Sequence, residues 1–243
     1  PGYRDVLVEV RETNTGSLSF GAAVSSDQGL VGSIVLKQDN FDIGDWPDSF
    51  EEFVRGRAFR GGGQQFNLTI APGTVTQNYS LGISEPYLFE SDYSGSAGGG
   101  FSSREFDNYR EQRLGGQLAI GRRFGQVWSG SLTFRAQDID IGGIDDKAIL
   151  DLQDVEGHSL LTGIGVRLRR TTLDSNYRPS RGSRIELGVE RVGAAGGDYQ
   201  FTKLSASGTV YFTMFEDFMN RKTILNLRTA TYYIPEDVDE VPI

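Results

Sequence analysis

The stretch Asn78-Tyr-Ser-Leu-Gly-Ile-Ser84 decides how the rest of the chain is read. In an extended chain, Tyr79, Leu81 and Ile83 fall on one side, and Asn78, Ser80, Gly82 and Ser84 on the other. A period of two with one apolar and one polar face marks a strand between two different environments. The pattern recurs on both sides of this segment. Upstream, Leu18, Phe20, Ala22 and Val24 oppose Ser17, Ser19, Gly21 and Ala23, and Phe66, Leu68 and Ile70 oppose Gln65, Asn67 and Thr69. Downstream, Trp128, Leu132, Phe134 and Ala136 oppose Ser129, Ser131, Thr133 and Arg135. Ile164, Val166 and Leu168 then oppose Gly163, Gly165 and Arg167, and Ile185, Leu187 and Val189 oppose Glu186 and Gly188. Leu204, Ala206, Val210 and Phe212 continue the series, as do Leu225 and Leu227.

About eleven strands follow from this pattern: 16–24, 29–37, 63–71, 76–88, 92–104, 112–121, 127–138, 158–172, 183–192, 199–213 and 222–233. A soluble sandwich would turn the apolar faces inward, and a membrane barrel would turn them outward. Three features favour the barrel. Many strands reach nine or more residues, the length a tilted strand needs to cross a bilayer. The polar face is rich in small Gly and Ser. Tyr87, Phe89, Tyr93, Tyr232 and Tyr233 gather near strand ends, as in an interfacial girdle.

Composition is consistent with this fold. The 243 residues include 32 Gly, 15 Phe and 10 Tyr but only 7 Pro, and net charge is −9. An acidic chain is a poor partner for nucleic acid. Mean hydropathy is −0.34, and no apolar run approaches the roughly 18–20 residues of a transmembrane helix. There is no cysteine, so neither a disulfide framework nor a thiolate metal site exists.

Two connections interrupt the alternation. In residues 38–62, Ser49-Phe-Glu-Glu52 has the form of a capping box after Pro47, with Phe50, Phe53 and Val54 at helical spacing. This predicts a short helix near 48–56. Residues 139–157 form an acidic loop containing Asp140, Asp145, Asp146, Asp151, Asp154 and Glu156, whose spacing fits no calcium-loop motif. His158 is the single histidine, and its neighbour Ser159 cannot serve it as a nucleophile. The runs Gly61–Gly63 and Gly98–Gly100 lie in no strand–helix unit that could cradle phosphate. No catalytic, cofactor-binding or metal site is therefore expected, and no enzyme.

Several segments are similar to BamA-type outer-membrane protein-assembly factors. Glu12-Thr-Asn-Thr-Gly-Ser-Leu-Ser-Phe-Gly21 and Gly29-Leu-Val-Gly-Ser-Ile-Val-Leu-Lys-Gln-Asp-Asn-Phe41 resemble the junction of the last POTRA domain with the first two barrel strands. Phe59-Arg-Gly-Gly-Gly-Gln64, and Tyr79 through Glu85-Pro-Tyr-Leu-Phe89, resemble strands three and four. Thr171 through Arg184 resembles a family turn, matching at Thr172, Asp174, Pro179 and Gly182 and departing at Thr171 and Ser175. The family's VRGF loop is not matched as a barrel loop, because Val54-Arg-Gly56 lies in the helical insert.

The resemblance implies an all-β, antiparallel up-and-down transmembrane barrel in the bacterial outer membrane, here about eleven of sixteen strands. Residues 1–15 would end a POTRA domain, with the strand Asp5–Arg11 as its last, and 16–243 would begin the barrel. It implies insertion of unfolded outer-membrane clients, with accessory assembly lipoproteins as possible partners and no cofactor. Gly16, Ser17, Leu18, Ser19, Phe20 and Gly21 would form the edge that receives a client strand. Glu85, Pro86 and Tyr87 would shape a corner, and Asp174, Pro179 and Gly182 a turn. Three other readings stay open: a polypeptide-transporting barrel, a passive pore, and a soluble β-sandwich that binds a partner.

Overall fold

The computed structural model describes residues 15–54, 58–144 and 156–236. Eleven strands follow in chain order: β1 Gly16–Ser25, β2 Gly29–Phe41, β3 Gln64–Ala71, β4 Thr76–Glu85, β5 Tyr93–Glu105 and β6 Arg110–Phe124, then β7 Trp128–Gly142, β8 Gly157–Thr171, β9 Gly182–Gly197, β10 Thr202–Glu216 and β11 Lys222–Tyr233. They make one antiparallel sheet in sequence order, each strand beside its chain neighbours. There is no second layer among the described residues, so the sandwich reading fails. A sandwich needs another sheet to cover the apolar face, and here that face is bare.

Register carries the alternation across the whole sheet. One row runs Phe20–Ile34–Ile70–Tyr79–Phe101–Leu114 through β1 to β6. A second runs Ile120–Leu132–Val166–Val189–Leu204–Tyr233 through β6 to β11. Directly paired residues share a face, so the rows form a continuous apolar belt. The belt is exposed: Leu118 is 58% accessible, Val166 59% and Leu187 52%. An apolar patch of this extent does not face water in a soluble protein.

The opposite face carries rows such as Ser96–Ala119–Thr133–Gly165–Glu190–Lys203. Ser96, Gln117, Arg135, Arg167, Lys203 and Tyr232, from six different strands, line one concavity. The polar face is therefore the inside of the curve. Glycine allows close approach where β4 to β7 bend: a Cβ at Gly100 would lie 2.8 Å from the Tyr79 carbonyl oxygen.

Strand ends differ from the sequence reading mainly at the rims, where polar and aromatic residues break the period. The strand expected over 112–121 runs from Arg110 to Phe124. The one expected over 127–138 continues to Gly142, so Asp140 belongs to β7 and the acidic connection is shorter than 139–157. Asp145, Asp146, Asp151 and Asp154 lie outside the described residues, as do Asp5–Arg11, Arg55 and Gly56. The strand expected over 76–88 stops at Glu85, because Pro86 has no N–H for the ladder.

The helix expected near 48–56 is α1, Phe50–Val54. The Glu52 amide donates to Ser49 Oγ at 3.2 Å, and Glu52 Oε2 accepts from the Asp48 amide at 3.0 Å. The capping box thus forms, with its return bond shifted one residue upstream.

Candidate functional site: an open strand edge on a lipid-facing sheet

β1 starts the sheet, and among the described residues it pairs with β2 alone. The Asp39 amide donates to the Thr15 carbonyl at 2.8 Å, in register with Gly16↔Gln38. Antiparallel hydrogen bonding alternates along a strand. Ser17, Ser19, Gly21 and Ala23 therefore spend their backbone groups on β2. Gly16, Leu18, Phe20, Ala22 and Val24 turn their N–H and C=O groups to the open side. The same even-numbered residues hold the belt side chains, and Phe20 is 73% and Val24 79% accessible. In hydrocarbon each unpaired backbone group costs several kcal/mol.

Residues 16–21 form the first part of β1, which among the described residues has a neighbouring strand on one side. The two glycines there have a local packing cause. A Cβ at Gly16 would meet Gln38 Oε1 at 2.1 Å, and Gln38 Nε2 donates to Thr15 Oγ1 at 3.1 Å. A Cβ at Gly21 would meet Ser33 Oγ at 2.6 Å. Both glycines make room for β2 side chains.

Beside this edge, at the end of the sheet where β1 begins (the near end), the insert between β2 and β3 folds back on the rim. Phe59 has φ 58 and sits in the left-handed region. Its carbonyl accepts from the Asp42 amide at 3.0 Å, and its amide donates to the Asp45 carbonyl at 2.8 Å. Phe41 stacks on Phe59 and Phe66 with centroids 5.5 and 4.8 Å away, and Trp46 meets Phe59 edge-on at 5.4 Å. Sequence patterning missed this cluster, because an isolated aromatic in a polar insert carries no period.

The other motif residues shape the near end as well. Glu85 Oε1 accepts from the Tyr87 amide at 3.0 Å across Pro86, and Phe89 and Glu90 both take φ of 54. This is a backbone corner. In the 172–181 turn, the Asp174 carboxylate accepts from the amides of Ser180 at 2.9 Å and Arg181 at 3.1 Å, and from the Ser180 hydroxyl. These donors, the hydroxyl first, hold the Asp174 carboxyl well below the usual carboxylate range. Gly182 has φ 105, and a Cβ there would lie 2.2 Å from the Thr172 carbonyl oxygen. Pro179 precedes the bound Ser180 within the same turn. These positions act on backbone shape.

Inside the curve, ion pairs tie strands together. Arg135 pairs with Glu190, and Glu186 takes Arg167 at 3.1 Å and Arg169 at 2.6 Å. No sequence signal joined Arg135 to Glu190, because β7 meets β9 only through β8. His158 lies on the outer face of β8, Nδ1 at 3.3 Å from Asp138 and Nε2 at 3.5 Å from Asp140. Ser159 points to the opposite face. Among the described residues no group of His, Asp and Glu is arranged to hold a metal ion.

A single curved sheet with an apolar outer belt and a polar, ion-paired inner face is the wall of an outer-membrane β-barrel. Residues 58–243 match the Omp85 superfamily domain, and the chain belongs to the Omp85 superfamily. It is 25% identical over 201 residues to the outer membrane protein assembly factor BamA of Nitratidesulfovibrio vulgaris, a match covering 82% of this chain and 23% of that protein. Its fold is similar to the crystal structure of BamA from Haemophilus ducreyi lacking POTRA domains 1–3, with a TM-score of 0.63 and 16% identity. That match covers 95% of this chain and 43% of the other. The chain thus spans under a quarter of the curated relative's length.

Proposed function

We propose that this chain contributes the first strands of the barrel of an outer-membrane protein-assembly factor, and that clients insert by adding a strand to β1. In this reading residues 1–15 close a preceding POTRA domain and residues 16–243 open the barrel. Further strands continue the sheet past β11. The partners are unfolded outer-membrane proteins, with accessory lipoproteins as candidates at the near end.

The carrying observation is the direction of the β1 backbone. Its even-numbered residues turn their donors and acceptors away from β2, beneath a lipid-facing row of side chains, and among the described residues no strand meets them. A client hairpin has the same unpaired groups, which are costly in lipid, and pairing on a ready template satisfies both sets. Similarity to BamA of Nitratidesulfovibrio vulgaris supports the reading.

The test uses the alternation. Leu18→Pro removes an N–H that points to the open side and leaves the β1–β2 ladder whole. The full-length variant, reconstituted in vesicles, should fold yet assemble a client barrel at least about tenfold more slowly, while Leu18→Ala stays near wild type. Wild-type client assembly by a folded Leu18→Pro protein defeats the edge mechanism. Depleting the full-length protein in cells should lower outer-membrane protein levels, and unchanged levels defeat the assembly reading as a whole.

A further inference from the structure

The two rims of the apolar belt are built differently. At the far end, outward-facing arginines are matched within the protein. Arg110 pairs with Glu105 at 3.2 Å and Arg191 with Glu236 at 2.9 Å. At the near end, two arginines break the belt face and have rings for neighbours instead of carboxylates. The Arg122 guanidinium lies 4.9 Å from the centre of the Tyr93 ring and 5.7 Å from that of Phe124. The Arg170 guanidinium lies 6.0 Å from that of Trp128. Among the described residues neither arginine is within ion-pair distance of a carboxylate. The nearest outward acid along β4, Glu85, is bonded to the Tyr87 amide.

Register puts all five residues on one patch of the outer face. Tyr93 is opposite Arg122, Phe124 opposite Trp128, and Trp128 opposite Arg170. Each arginine follows the last belt aliphatic of its strand by two residues, Ile120 on β6 and Leu168 on β8. That is one outward step, about 6–7 Å along the strand. The patch therefore sits where hydrocarbon gives way to headgroups. Between the strands Gly130 has no side chain, and the Phe124 ring covers it, with an added Cβ meeting that ring at 3.1 Å. The patch is thus a shallow aromatic floor with a guanidinium on each side.

We propose that Arg122 and Arg170 form a phospholipid headgroup site in the near-end leaflet, each guanidinium binding a lipid phosphate. A guanidinium laid against a ring keeps its fork of donors directed outward, a geometry that matches phosphate bidentately. Stacking on aromatic faces also lowers the cost of holding the cation beside hydrocarbon. The acyl chains then lie on the aliphatic belt above, against Ile120, Leu132 and Leu168. The site lies on β5 to β8, around the sheet from β1. It would fix the depth of the sheet in the bilayer without occupying the client edge, and it holds whether or not the chain assembles clients.

The test uses the full-length protein in detergent micelles, titrated with dioleoyl phosphatidylglycerol, with bound lipids counted by native mass spectrometry. Inorganic phosphate is added in a separate arm. Each variant is first checked for the heat-dependent gel mobility of a folded barrel. R122Q/R170Q should retain lipid at least about tenfold less well than wild type. R110Q, at the far rim, should be unchanged. R122K/R170K, which keeps both charges, should recover part of the retention. Equal lipid retention by folded R122Q/R170Q overturns the proposal, and so does a lysine variant as empty as the glutamine one. Displacement of the lipid by an equal concentration of inorganic phosphate also overturns it, because the site would then bind the free anion without its lipid.

Discussion

Val166→Lys tests the orientation of the sheet directly. Val166 sits on the outer face of β8 between Leu132 and Val189, and is 59% accessible. Along the same strand His158 and Arg170 are the outward polar residues that bound the belt. With a rise of about 3.3 Å per residue and a tilt near 40°, the twelve residue steps from one to the other span about 30 Å, the thickness of a hydrocarbon core. Val166 then lies roughly 10 Å inside the near boundary and about 5 Å from the midplane. Lysine costs about 2–4 kcal/mol at the midplane of a lipid-facing barrel surface and about 0–1 at its boundary. About 2–3 kcal/mol is expected here, a shift of roughly thirty- to a hundred-and-fiftyfold in the folding equilibrium. The control is Thr133→Lys, one strand away on the inner face, opposite Gly165 and in the row of Glu190. It should cost under about 0.5 kcal/mol, because its ammonium remains in water near a carboxylate. Equilibrium unfolding in urea, with the full-length protein in lipid vesicles, measures both. If the two substitutions cost the same, the apolar belt does not face lipid.

Other outcomes follow from the near-end turns. Asp174 has a depressed pKa, so its contribution is fully present above the unfolded carboxyl value near 4 and is lost only as pH falls below it. Intrinsic-rate-corrected exchange at the Ser180 and Arg181 amides should therefore stay protected from pH 7 to about 4. Asp174→Asn should lose that protection at pH 7, and equal protection in the variant would refute the role. Gly182→Ala forces a Cβ against the Thr172 carbonyl at a positive φ and should cost about 1–3 kcal/mol, read as a lower urea midpoint. Ser49→Ala removes the acceptor for the Glu52 amide and should weaken α1 by about 1 kcal/mol, seen as faster exchange of that amide with the barrel midpoint unchanged.

Much of the fold was written in local pattern. Tyr79, Leu81 and Ile83 show a strand because side-chain direction in an extended chain depends on parity alone, and eleven such segments separated by turns give eleven strands. The face a residue occupies is local information too, so Leu18, Phe20 and Val24 could be assigned to the belt before any pairing was known. The β1 edge was reached through the family motifs, since periodicity does not say which strand lacks a neighbour. Rim extents escaped because residues such as Arg122, Arg123 and Asp140 are polar on both parities. At the interface either face meets water or headgroups, and the period fades.

The strands and their two faces are legible in the chain alone, because both follow from backbone geometry within a few residues. Which residues meet across strands is settled by the folded sheet. Register, fixed by turns and bulges, brings Arg135 to Glu190 and Arg167 and Arg169 to Glu186, and it gathers Arg122, Arg170 and three rings on one rim. The direction in which β1 turns its free backbone groups is of the same kind. An unpaired N–H at Leu18 depends on β2 lying on one side, on the phase of the ladder set at Thr15 and Asp39, and on the absence of a described strand on the other. Each of these is a relation between distant segments, which no local pattern encodes.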